Sequence, residues 1–185
     1  MNKSVTSRDK ILEECKQIVI EDGLNGINIR KVASRCNTAV GSIYYYFPSK
    51  TALVTATIEN IWFEIFHMSQ NKINTDDFIL YIKNIFKSVQ NGCTKYPNFF
   101  TLHSVSYASK DKDQGRETME KYFGHMKKSL LKILNNDPKL NNNNFNDIFT
   151  KESFIDMIFS LSVSMMLQKN YDTESLCEMI RKLIY

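Results

Sequence analysis

The sequence predicts an all-α protein. Only six Gly and three Pro occur in 185 residues, so helix breakers are scarce and most loops must be short. Between those breakers, apolar residues recur three and four apart, the period of a helix with one buried face. Hydrophobic residues make up 43% of the chain and charged residues 24%, the balance of a folded domain rather than a disordered one. The length allows one sizeable core or two small ones.

The first helix is expected over residues 8–21, where Ile11, Leu12, Cys15, Ile18 and Val19 line one face. Thr6 with Asp9 reads as a capping box at its start. Gly23 and Gly26 punctuate the turn that follows. A short helix at 29–36 comes next, capped by Asn28, with Val32 and Ala33 inward. Asn37 and Thr38 break the pattern, and a third short helix covers about 40–46. Pro48 and Ser49 interrupt again, and Ser49 caps a long fourth helix from Lys50 to about Ser69. The remainder reads as five more helices at about 76–93, 97–109, 114–136, 147–169 and 173–184, nine in all. Pro97 suits a helix start, and Asp137 with Pro138 ends the longest segment. Asn141–Asn144 reads as a mobile polar loop with no chemistry of its own.

Charge and cysteine usage narrow the class. The net charge of +4 permits a polyanionic partner without requiring one. After Asp22 no acidic residue appears until Glu59. That window holds Arg30, Lys31, Arg35 and Lys50, and is the surface best suited to face a polyanion. Cys15, Cys36, Cys93 and Cys177 stand far apart with no CxxC pair, which argues for buried reduced thiols rather than a zinc site or a disulfide framework. His67, His103 and His125 are too scattered to suggest a metal. Neither an apolar signal core nor a run near the ~20 residues of a membrane span is present. A soluble, cytoplasmic protein with no membrane partner is expected.

Two short helices joined by a tight turn form a helix-turn-helix, whose second helix must fit the major groove. The segment Thr38-Ala39-Val40-Gly41-Ser42-Ile43-Tyr44-Tyr45-Tyr46-Phe47 suits that role. Gly41 allows close backbone approach, Ser42 is a short donor, and Ile43 and Phe47 anchor the helix inward. Tyrosine hydroxyls can donate to phosphate oxygens. Three tyrosines in a row cannot all point inward, because a helix turns about 100° per residue. Tyr44 is expected to be partly packed, with Tyr45 and Tyr46 more open.

The run Val32-Ala33, Gly41-Ser42-Ile43-Tyr44-Tyr45-Tyr46-Phe47, Ser49-Lys50 and Leu53, with Ile11-Leu12 and Gly23 upstream, resembles the signature of the TetR family of bacterial transcriptional regulators. The resemblance covers about residues 8–60. It implies a DNA-binding domain at 1–48 and a helical ligand-binding and dimerisation domain at 49–185. It further implies a homodimer on a pseudo-palindromic duplex operator, with repression relieved by a small apolar or aromatic effector. By position it marks Asn28, Arg30, Thr38, Ala39, Val40, Gly41, Ser42, Tyr44, Tyr45, Tyr46 and Lys50 as DNA-facing. Two departures stand out. Asn37 replaces the usual turn Gly but tolerates the left-handed conformation. Ala39 replaces the usual Ser cap, so Thr38 is expected to cap one residue early. With Val40 where a polar residue is frequent, base readout here becomes apolar, toward thymine methyls.

Trp62, Phe66, Phe86, Phe100, His103, Tyr107, Phe123, Met126 and Phe159 are candidates for an effector pocket, although for any one of them ordinary core packing is the better reading. The 147–169 segment is apolar nearly all round and must be covered on most sides, by its own subunit or by a partner. With the resemblance, Phe154, Ile158, Leu161 and Met165, together with Leu176 and Ile180, become candidate interface residues. An alternative keeps the same DNA-binding head and gives the C-terminal domain a protein partner instead of a small molecule. No catalytic motif is present, so neither enzymatic activity nor a cofactor is expected.

Overall fold

A computed structural model describes residues 6–70, 75–97, 99 and 113–185, with side chains at all of these except 66–70, 113–119 and 121. The described residues form eight α-helices and no strand: α1 (Arg8–Asp22), α2 (Ile29–Arg35), α3 (Val40–Tyr46), α4 (Lys50–Gln70), α5 (Phe78–Lys95), α6 (Asp113–Asn136), α7 (Lys151–Leu167) and α8 (Glu174–Ile184). Most of the helix expected at 97–109 lies outside the described residues. The chain divides into two compact units. One takes in the described residues up to Ile65 and from Gly92 to Phe99; the other holds those from Phe66 to Asn91 and from Asp113 onward.

In the first unit, local chemistry sets each boundary. Ser7, not Thr6, caps α1: its side chain accepts from the Lys10 N–H at 3.2 Å. Thr6 is buried instead. Gly23, at φ 72°, ends α1 and returns its N–H to the Val19 carbonyl. A Cβ on Gly26 would lie 2.5 Å from the Asp22 Cβ, so the following 3-10 turn can press against α1 only with glycine there. Asn28 caps α2 by accepting from the Arg30 N–H at 2.9 Å. Asn37 adopts φ 51°, the left-handed conformation expected of it. The expected cap at Thr38 does not form. Ala39 is instead the cap position of α3, and no side-chain bond is made there. Ser49 accepts from the Ala52 N–H and starts α4. Ile11, Cys15, Ile18, Ile27, Val32, Cys36, Ile43 and Leu53 are fully buried and form the core of this unit.

The second unit is organised around a buried carboxylate. Asp137 accepts from the Phe78 N–H and the Lys139 N–H, each at 2.9 Å, and from the Tyr185 hydroxyl. It thereby joins the start of α5, the end of α6 and the C-terminus. The Asn141–Asn144 segment is tied down rather than loose. The Asn141 N–H donates to the Ile184 carbonyl and the Asn144 side chain to the Leu183 carbonyl, satisfying two acceptors left open where α8 ends. Helix α7 begins later than expected, at Lys151. Asn146 turns the chain by accepting from the Ile148 and Phe149 N–H groups, and Thr150 caps the helix.

Four of the six candidate interface residues belong to this unit's own core. Phe154, Ile158, Leu176 and Ile180 are all buried within the single chain and can offer no surface. Leu161 is exposed and Met165 half-buried. The apolar side chains these two helices turn outward are Met157, Leu161 and Leu167 on α7 and Met179 and Leu183 on α8. Among the described residues no helix is long and apolar enough to cross a membrane, and no group of three or more His, Cys, Asp or Glu is placed to hold a metal.

Candidate nucleic-acid interface

Helix α3 is held by one face and free on the other. Ile43 is fully buried and Phe47 nearly so. Counted from Ile43 at about 100° per residue, Tyr44 stands about 100° round the helix, Tyr45 about 200° and Tyr46 about 300°. Exposure follows that phase: Tyr45 is 82% exposed and Tyr44 49%. Tyr46, expected to be open, returns to within about 60° of the buried face. It is half-buried, and its hydroxyl donates to the Thr6 carbonyl at 2.9 Å. It therefore pins the segment ahead of α1, and its ring props Tyr45 edge-on at a centroid distance of 5.0 Å. Arg8 lies over the Phe47 ring at 5.4 Å and secures the same corner.

Beside the tyrosines, Ala39, Val40 and Gly41 are exposed, while Thr38 and Ser42 are half-buried. Beyond its chain neighbours and its own helix backbone, nothing lies within 4 Å of where a Gly41 Cβ would stand, so this surface is open. The acid-free window supplies less free charge than its composition suggests. Arg35 donates to both oxygens of Glu21, one at 3.0 Å, and Lys31 pairs with Asp22. The Arg35 hydrogen bond holds the Glu21 carboxyl below its ordinary value. Both partners lie at the end of α1, which the sequence separates from the window but the turn at Gly23 brings back to α2. Arg30 and Lys50 are exposed and make no ion pair among the described residues. They remain available to phosphate. Asn28 is exposed, but its side-chain oxygen is occupied by the cap on Arg30.

One group of residues escaped sequence reasoning. The Glu64 carboxylate on α4 accepts from Lys16 of α1 at 2.9 Å, from the Tyr96 hydroxyl at 3.0 Å, and from Lys95. Lys16 also reaches Glu13 at 2.6 Å. Desolvation pushes the Glu64 carboxyl upward, but the hydrogen bonds from Lys95, Lys16 and Tyr96 outweigh it and leave the group below its ordinary value. Burial likewise opposes the charge on Lys16, and its bonds to Glu13 and Glu64 raise it overall. The available signal was a carboxylate amid Ile61, Trp62, Phe63 and Ile65. Such a residue on an otherwise apolar stretch needs a partner. The result is a head whose first helix is clamped to the fourth.

The effector candidates are only partly accounted for. Phe100, His103 and Tyr107 lie outside the described residues, and the side chain of Phe66 does too. Trp62 is buried in the first unit, with its ring edge-on to Phe99 at 5.7 Å. In the second unit Phe86 is buried, while Phe123 and Met126 are half-buried. Phe123 meets Phe159 edge-on at 5.1 Å. Lys127 sits 5.3 Å over the Phe159 ring and pairs with Asp156 at 2.8 Å.

An early helix-turn-helix that presents exposed tyrosines has the architecture that fits a helix into the major groove. Residues 11–57 match the family model for bacterial regulatory proteins of the tetR family. The chain is 30% identical over 69 residues to the HTH-type transcriptional regulator YvdT of Bacillus subtilis, a match covering 37% of this chain and 36% of that one. It is 37% identical over 51 residues to the HTH-type transcriptional repressor KstR of Mycobacterium tuberculosis, covering 28% of this chain and 23% of that protein. The matches thus span about a third of YvdT and a quarter of KstR. The whole architecture is shared with a TetR-family regulator from Rhodococcus sp., at a TM-score of 0.69 and 14% identity over 96% of this chain and 98% of that one. The N-terminal head, residues 11–57, is thus similar to that of tetR-family regulatory proteins, and the fold of the chain is that of a TetR-family regulator.

Proposed function

We propose that the chain is a repressor that binds a pseudo-palindromic operator as a homodimer, with one α3 in each of two successive major grooves. The observation that carries this is the outward face of α3, where Tyr44 and Tyr45 stand exposed, together with the exposed cations Arg30 and Lys50 of the same unit. Hydroxyls and cations of this kind suit a phosphate backbone. Repression is supported by the likeness of the head to KstR, a named repressor. The functional head is residues 1–48. Compact packing extends further, because α4 as far as Ile65 belongs to the same unit. Residues 49–185 serve assembly and sensing, and the protein works in the cytoplasm, where its operator lies.

Self-association is supported by the apolar side chains that α7 and α8 turn outward, Met157, Leu161, Met179 and Leu183. Ser160 and Ser164, both exposed on α7, would allow a second copy to approach closely. A small apolar or aromatic effector is supported by Phe123, half-buried and edge-on to Phe159, and by the half-buried Met126 three residues on. It would act by binding better to the conformation whose two heads are wrongly spaced.

A gel shift with the DNA upstream of the chain's own gene tests the central part. Binding is expected, with clear weakening in Tyr45→Ala and Lys50→Ala; failure of the intact chain to bind any duplex would refute it. In sedimentation, the double variant Met157→Glu, Leu161→Glu is expected to run as a monomer where the native chain runs as a dimer.

A further inference from the structure

The first turn of α3 presents carbon where a reader of base edges commonly presents amide, carboxylate or guanidinium. Ala39 is exposed, Val40 is 38% exposed, and, beyond its chain neighbours and its own helix backbone, nothing stands within 4 Å of the place a Gly41 Cβ would occupy. Between Asn37 and Lys50 the chain has no Arg, Lys, Asn, Gln, Asp or Glu. Apart from the short hydroxyls of Ser and Thr, those are the side chains that read guanine, adenine and cytosine by hydrogen bonds in the major groove. One distinguishing mark remains for an apolar side chain, the 5-methyl group of thymine.

We propose that the chain reads its half-site by methyl-to-methyl contact, with Val40, and beside it Ala39, packed on the thymine of a T·A pair. This rests on the DNA-binding reading above and adds to it the chemical class of the bases beneath α3. The tyrosines and Lys50 fix position on the backbone and carry no sequence information. Thr38 and Ser42, the two hydroxyls of this stretch, are half-buried and offer less to a base edge than the exposed Ala39 and Val40. Arg30 stands at the start of α2, so a guanine contact from it falls at the flank of the half-site and not under the first turn of α3. Gly41 matters because its missing side chain lets the Val40 methyl groups descend to the base edge.

The test begins by selecting duplexes from a random pool with the full-length chain. Each thymine of the enriched sequence is then replaced singly by deoxyuridine, which lacks only the 5-methyl group. Affinity is read by fluorescence anisotropy. At one or two thymines per half-site, deoxyuridine is expected to weaken binding about fourfold, the worth of one buried methyl, and about fifteenfold when the matching thymine of both half-sites is changed. In Val40→Ala the same replacement should cost less than about twofold, because the contact it removes is already gone. Val40 is exposed, so this variant keeps its fold; an unchanged melting temperature verifies that, and Val40→Thr supplies an isosteric second variant. Absence of any deoxyuridine-sensitive position, or an undiminished penalty in Val40→Ala, overturns the proposal while leaving DNA binding intact. Failure to enrich any duplex overturns the DNA-binding reading itself, and the proposal falls with it.

Discussion

Replacing Glu64 by Gln removes the charge on which α1, α4 and the end of α5 converge within the head unit. The side chain is only 18% exposed, as against 13% for Lys16. A hydrogen bond to a charged group contributes about 1.5–3 kcal/mol. Lys95 is half in solvent, so its share is near that of a surface pair, under about 1 kcal/mol. Lys16 keeps Glu13, and the Gln oxygen can still accept from Tyr96, which limits the loss. The net expectation is about 2 kcal/mol, or a fall of roughly 4–8 °C in melting temperature for a chain of this size. The pH dependence follows from the carboxyl lying below its ordinary value of 4.5 in the folded chain. A depressed carboxyl favours folding above its unfolded value, and that contribution is lost as pH falls through the folded value. The gap between native chain and variant should therefore be full at neutral pH and close in acid. Circular dichroism melts at pH 7 and at successively lower pH measure both. A variant within 1 °C of the native chain at pH 7, or a gap that persists undiminished in acid, would show that the clamp carries no weight.

Smaller changes probe the turn and the thiols. Asn37→Ala places a Cβ without local side-chain compensation at φ 51° and should cost about 1–2 kcal/mol in chemical denaturation. Ala39→Ser supplies the missing cap of α3 and should stabilise by about 0.5–1 kcal/mol in the same assay. Cys15, Cys36 and Cys177 are buried, with burial pushing the Cys15 thiol up to about 11, whereas Cys93 is half-buried. Only Cys93 should react with Ellman's reagent before unfolding, and all four afterwards.

The elements most legible in the sequence were those marked by a residue with one physical role. Gly23 ends α1, Asn28 caps α2, Asn37 takes the left-handed turn, and Ser49 opens α4, all as the residue types require. Thr6 and Ser7 are both competent caps, and only the packing of Thr6 decides between them. Tyr46 was legible in principle, since three residues from a buried Ile43 returns it toward the inner face. Composition alone makes the three tyrosines look alike. The charged window misled for a different reason: Lys31 and Arg35 are neutralised by Glu21 and Asp22, whose approach depends on a turn and not on sequence distance. A helix apolar all round, such as α7, carries no phase, so nothing in its pattern could tell Phe154 and Ile158, which face the core, from Met157 and Leu161, which face out. Asn141–Asn144 looked like low complexity because its partners, the last carbonyls of α8, lie some forty residues away.

Salt dependence of operator affinity tests most directly whether the α3 face lies against phosphate. The logarithm of the binding constant should fall linearly with the logarithm of salt concentration, by about 0.9 for each phosphate neutralised. Lys50→Ala should flatten that slope by about 1.8 if each head of a dimer loses one contact. Tyr45→Phe, which removes only a neutral hydroxyl, should weaken binding and leave the slope as it was. A native chain insensitive to salt, or a Lys50→Ala slope equal to the native one, would contradict the account.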